Sequence, residues 1–179
     1  MNDMAVSNFE VSEWRTWDGS LSAAQQELFA HMKPVIDDLK RENDPTFYTW
    51  YEHTQWRWKQ WEYTSVLNQL NLPNAKGRKV LDVGCGYTPL IRYLASIGMD
   101  AYGFDWDAVE IESNLLKSSA LLHGNLVKYH KQDMRDIKWE SDFFDYTVCA
   151  SVLEHLFIGE TFLKKVFDKF LPPPKKYFI

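Results

Sequence analysis

One stretch limits what this chain can fold into more than any other. From Lys79 it reads Lys79-Val80-Leu81-Asp82-Val83-Gly84-Cys85-Gly86-Tyr87-Thr88-Pro89, and after a short amphipathic run and Gly98 it continues Ala101-Tyr102-Gly103-Phe104-Asp105. Val80, Leu81 and Val83 form a nearly continuous apolar run, as a parallel strand covered on both faces requires. Gly84 and Gly86 follow at once, where a sharp turn needs residues without Cβ atoms. Thr88-Pro89 reads as the cap and first residue of a helix, with Leu90, Ile91, Leu94 and Ile97 at helical spacing and Gly98 as its stop. A second strand then ends in Asp105, 21 residues after Gly84. A strand, a glycine turn, a helix and a strand ending in a carboxylate make half of a nucleotide-binding βαβ unit.

The turn's chemistry narrows the ligand. A pyrophosphate needs the third glycine of G-x-G-x-x-G, so that the helix N-terminus comes close, and here that position is Pro89. The carboxylate of Asp82, just before the turn, also disfavours an anion and favours a ligand with cationic groups. A nicotinamide-dependent oxidoreductase is therefore disfavoured. These residues resemble the first motif of the class I S-adenosylmethionine-dependent methyltransferases, acidic-x-Gly-x-Gly-x-Gly. Asp82, Gly84 and Gly86 match it, and Thr88 stands where the last glycine would be.

The resemblance implies that the turn passes under the methionine part of S-adenosylmethionine, with Asp82 near its amino group and Asp105 on the ribose hydroxyls. After a third strand, from Leu126 to His130, it implies that Asp133 accepts a hydrogen bond from the adenine amino group and that Met134 packs on the ring. The cofactor-binding set it implies is Asp82, Gly84, Cys85, Gly86, Asp105, Trp106, Asp133, Met134 and Ser151. A fourth strand is expected from Phe143 to Ala150, followed by Ser151-Val152-Leu153-Glu154-His155-Leu156. In many small-molecule methyltransferases a similar segment flanks the methyl group. His155 then serves as general base for the acceptor, or it only caps or packs at the strand end.

Composition excludes several classes. The net charge is −5, and no Lys/Arg cluster is long enough to track phosphates, which argues against nucleic acid as a partner. No run approaches the roughly 18 apolar residues of a membrane helix, and the N-terminus has no signal-peptide core. Cys85 and Cys149 suit a reduced, cytoplasmic protein, and the five histidines show no metal-ligand spacing.

Residues 1–76 read as a helical, aromatic-rich cap or lid, and 77–179 as the cofactor-binding domain. Leu21, Leu28, Phe29, Met32, Val35, Ile36 and Leu39 share one helical face, with a kink expected at Pro34. Six of the eight tryptophans lie between Trp14 and Trp61. In a second helix ending near Leu70, the spacing puts Phe47, Trp50, Tyr51, Trp58, Trp61, Val66 and Leu70 on one face and Trp56 and Tyr63 on another. Arg57 is a candidate partner for the cofactor carboxylate. Further helices are expected from Asp107 to Leu122 and from Glu160 to Phe170.

The expected fold is α/β: a Rossmann-like, mostly parallel sheet of four to five strands, with Tyr177-Phe178-Ile179 able to begin the fifth. A full class I domain carries seven strands, so the chain reads as a fragment or a minimal domain. An open sheet edge makes self-association plausible. The expected activity is methyl transfer to a small-molecule acceptor. The alternative is a cofactor-binding, inactive regulatory or scaffolding module.

Overall fold

The computed structural model describes residues 20–40, 57–70, 72–86, 88–107, 127–140, 142–152 and 176–178. The helices expected at 107–122 and 160–170, the aromatic residues before Arg57, and His155 lie outside the described residues.

Helix α1 (Ala23–Lys40) opens with a capping box. The Gln25 N–H donates to Ser22 Oγ at 3.3 Å, and the Ser22 N–H donates back to Gln25 Oε1 at 3.1 Å. Pro34 lies inside this helix on an exposed position, and Met32, Val35 and Ile36 face the core. Helix α2 (Arg57–Gln69) follows, and a short turn at Leu72–Asn74 leads into strand β1 (Lys79–Val83). Helix α3 (Pro89–Ser96) and strand β2 (Asp100–Asp105) complete the βαβ half-unit. Strands β3 (Val127–Lys131), β4 (Tyr146–Val148) and β5 (Lys176–Phe178) finish the described sheet. All five strands run parallel in the order β3-β2-β1-β4-β5.

Side chains alternate between the two faces of a strand, and this sorts the interior into two clusters. Val80, Ala101, Tyr129 and Val148 meet α1, α2 and α3 through Met32, Ile36, Tyr63, Leu67, Leu90 and Leu94. On the other face Leu81, Val83, Tyr102 and Phe104 meet Ile137 and Phe144. There Tyr102 sits edge-on to Phe143 at 5.6 Å and to Phe144 at 5.3 Å between ring centres. Aromatic pairs favour this arrangement over face-to-face stacking.

Two expectations need correction. The fourth strand spans only Tyr146–Val148, not Phe143 to Ala150. Asp145 is held at the strand's entry, its carboxylate accepting the Lys79 N–H at 2.8 Å and its own N–H donating to the Lys79 carbonyl at 2.9 Å. Phe143 and Phe144 are drawn into the aromatic cluster instead. On α2, Tyr63 and Leu70, expected on different faces, are buried together. Tyr63, Leu67 and Leu70 are buried, while Trp61 and Val66 are only partly so.

Candidate functional site

The strand order reverses direction between β1 and β4. In parallel α/β sheets the crevice beyond the strand ends at such a point is where ligands bind. Asp82 and Asp105 both lie near those ends. Asp82 is two residues from Val80 and Asp105 is four from Ala101, so both carboxylates share the sheet face that α2 covers.

The glycine turn bends as its sequence requires. Gly84 has φ 65° and Gly86 has φ 43°, both in the left-handed region. A Cβ on Gly84 would lie 2.6 Å from a Val152 methyl carbon, so the close passage of the chain after β4 demands glycine there. The Cys85 N–H donates to the Phe104 carbonyl at 2.9 Å, which ties the turn to β2. Its side chain is fully buried and turned toward Gly103, so the thiol belongs to the core and not to the crevice.

Asp105 is held at both oxygens of its carboxylate. Its Oδ2 accepts the Gly86 N–H at 3.0 Å and its Oδ1 accepts the Asp107 N–H at 3.1 Å. A carboxylate has about four lone-pair positions, so two remain for hydroxyls of a diol. Trp106, next in the chain, is 78% exposed, a large apolar ring presented to solvent beside that carboxylate.

Asp82 is buried at 4% exposure. Burial first, then the charges of Asp105 and Glu62, push its carboxyl from 3.8 up to about 7, with Thr88 and Lys59 opposing. Thr88 occupies the helix-cap position expected of it, but its hydroxyl makes no capping bond.

The other expected residues divide. The Gln132 N–H donates to the Asp105 carbonyl at 2.9 Å, drawing the loop that carries Asp133 and Met134 against the end of β2. Asp133 lines an open cavity of about 460 Å³ with His130, Lys131, Gln132, Asp136, Lys138 and Trp139. Met134 packs against the second apolar cluster. Ser151 carries φ 55°, uncommon for a residue other than glycine.

Ser151 is bonded to two residues that sequence reasoning missed. Lys59 Nζ donates to Ser151 Oγ at 2.7 Å, and Ser151 Oγ donates to Glu62 Oε1 at 2.6 Å. Lys59 and Glu62 also form an ion pair at 2.7 Å. The available signal was their i, i+3 spacing on the same helical stripe as Tyr63 and Leu67. Arg57, the cation named instead, is the first residue of α2.

Among the described residues no group of His, Cys, Asp and Glu forms a metal site, and no helix is long and apolar enough to cross a membrane.

A model of the methyltransferase domain family matches residues 81–170, about half of the chain. The chain is 31% identical over 85 residues to a ubiquinone biosynthesis O-methyltransferase of Haemophilus ducreyi, a match covering 45% of this chain and 35% of that protein. It is 33% identical over 81 residues to the protein of the same name from a Shewanella species, covering 45% and 34%. The match thus spans about a third of the length of these curated relatives.

Many solved structures share the fold, the following two among them. The CcbJ methyltransferase from Streptomyces caelestis aligns with a TM-score of 0.52 at 18% identity, covering 64% of this chain and 47% of that one. The PH0226 protein from Pyrococcus horikoshii aligns with a TM-score of 0.51 at 23% identity, covering 69% and 56%. Together with the Asp82-Gly84-Gly86 turn and the pinned Asp105, the family match places this chain among the class I S-adenosylmethionine-dependent methyltransferases.

Proposed function

We propose that the chain binds S-adenosylmethionine and moves its methyl group to a nucleophile on a small molecule. The observation that carries this reading is Asp105. A carboxylate held at both oxygens by the backbone of the glycine turn and of its own loop is prepared for a ribose diol before any ligand arrives. Asp82 supports it from the other end of the turn. A buried carboxyl near pH 7 is an unstable neighbour for an anion and a good one for an ammonium group.

S-adenosylmethionine, when bound, supplies a methyl group on a positively charged sulfur. The chain's own residues bind, orient and exclude water: Asp105 holds the ribose, Asp82 faces the amino group, and Asp133 and Met134 receive the adenine. Holding two reactants aligned in a dry pocket can provide most of the acceleration this reaction needs. Ser151 lies just past the end of β4, and His155, four residues on, is the proposed acceptor of the proton that the nucleophile loses. Both curated relatives are named O-methyltransferases, which supports an oxygen acceptor.

Calorimetric titration tests the reading. S-adenosylhomocysteine is expected to bind and NAD is not. Binding of NAD with no binding of S-adenosylhomocysteine would sink it.

A further inference from the structure

The inner face of α2 carries an ion pair at the N-terminal end of its apolar stripe. Lys59 is only 6% exposed, yet it lies on the side of the helix that buries Tyr63, Leu67 and Leu70. An ammonium group taken out of water needs close partners. Lys59 has Glu62 and Ser151, each at 2.7 Å, and Ser151 closes the ring by donating to Glu62 at 2.6 Å. The ring joins the helix to the end of β4, next to the left-handed backbone of Ser151.

Packing alone is a poor reason for this arrangement. Apolar side chains of similar size would fasten a helix to a sheet at least as well as a buried ion pair. Two further groups lie near Asp82, which is itself within electrostatic reach of Lys59 and Glu62. The Tyr63 hydroxyl is buried with no hydrogen-bond partner among the described residues, and it lies within electrostatic reach of Glu62 and Asp82. The Thr88 hydroxyl is buried beside Asp82, near enough to favour its ionised form but without the geometry of a full hydrogen bond. A satisfied interior rarely keeps two such hydroxyls at one spot.

We propose that Lys59 and Glu62, with Ser151, form the receptor for the zwitterionic amino-acid end of the cofactor. This rests on the methyltransferase reading and assigns to α2 a part of its binding site. A zwitterion carries one carboxylate and one ammonium. Lys59 offers the charge that the first requires, and Glu62, with Asp82 near it, the charge that the second requires. The internal ion pair is exchanged for two ion pairs with the ligand, so net charge is unchanged and neither side chain is left buried without a partner. The Tyr63 and Thr88 hydroxyls supply donors to the same carboxylate oxygens.

The test compares two ligands of the full chain by calorimetry: S-adenosylhomocysteine, and 5′-methylthioadenosine, which keeps the nucleoside and sulfur but lacks the amino-acid end. Lys59→Met and Glu62→Gln should each weaken S-adenosylhomocysteine by at least about tenfold and leave 5′-methylthioadenosine within about twofold. Lys59→Arg should recover most of the loss. Should a single variant fail to fold, the double variant Lys59→Met, Glu62→Leu leaves no lone charge and should show the same ligand-selective loss. Equal losses for both ligands would reduce the ring to a structural fastening and overturn the proposal, as would unchanged binding of S-adenosylhomocysteine. If the unsubstituted chain bound neither ligand, the methyltransferase reading itself would fall.

Discussion

Replacing Asp82 by asparagine should make this protein more stable and less able to bind its cofactor, and the gain should depend on pH in a way fixed by the site. In the folded chain, burial and the charges of Asp105 and Glu62 raise the carboxyl from 3.8 to about 7. A carboxyl that holds its proton more tightly when folded makes the folded state the proton-rich one. Stability is then highest below the unfolded value and falls as pH rises, levelling off above the folded value. At about 1.4 kcal/mol per pH unit, the ionised carboxylate costs the fold about 4 kcal/mol above pH 7. The amide keeps the shape and removes the titration.

The two proteins should therefore be nearly equal in stability near pH 4, and the Asp82→Asn variant should lead by about 4 kcal/mol at pH 8. For a domain of this size that corresponds to roughly 10 °C in melting temperature. Urea unfolding followed by tryptophan fluorescence from pH 4 to pH 8 measures the difference directly. Parallel curves for the two proteins would show that Asp82 is not the titrating group and would refute the reasoning. The ligand arm runs the other way. The ammonium of the zwitterionic amino-acid end favours the ionised carboxylate, so binding below pH 7 must displace its proton. Affinity for S-adenosylhomocysteine should rise by up to about tenfold per unit from pH 5 to pH 7 and then flatten, and Asp82→Asn should abolish that slope.

Two further substitutions test the frame around the site. Asp105→Asn turns one acceptor oxygen into an NH2 donor, so one of the bonds from Gly86 and Asp107 is lost together with an acceptor for the ribose diol; at roughly 1.5–3 kcal/mol for a hydrogen bond to a charged group, S-adenosylhomocysteine titrations should show at least about a tenfold loss. Gly103→Ala places a Cβ 2.9 Å from Cys85 Sγ and 3.2 Å from a Tyr129 ring carbon, and overpacking of this kind costs about 1–3 kcal/mol. Denaturant unfolding should show that loss, with part of it recovered when Cys85→Ala is added. Strict additivity of the two changes would remove the steric explanation.

What was legible in the sequence followed from local rules. Val80 to Val83, the glycine pair, Pro89 and the strand ending at Asp105 each obey a short-range requirement of backbone geometry or period. Their positions in the sheet, helix and turn match the expectation to within a residue or two. The fourth strand was overextended because Phe143 and Phe144 look like strand residues in isolation. They pack edge-on against Tyr102 of β2, a contact that no local window contains.

The largest gap was on α2, where the spacing placed Tyr63 on a different face from Leu70 and Lys59 was not singled out. A helix buries the stripe whose shape fits the surface beneath it, and here that stripe is Lys59, Tyr63, Leu67 and Leu70. Lys59 and Glu62 in such a stripe conflict with the rule that charged residues stay outside, and conflicts of this kind concentrate at functional sites. Asp82 presents the same conflict on β1, one strand position before its last residue. Three ionisable groups on two elements, Lys59 and Asp82 buried and Glu62 partly so, lie within electrostatic reach of one another. The local motif identified only the carboxylates at the strand ends. The cation that completes them is brought in by tertiary packing, through the bond from Lys59 to Ser151 across 92 residues of sequence.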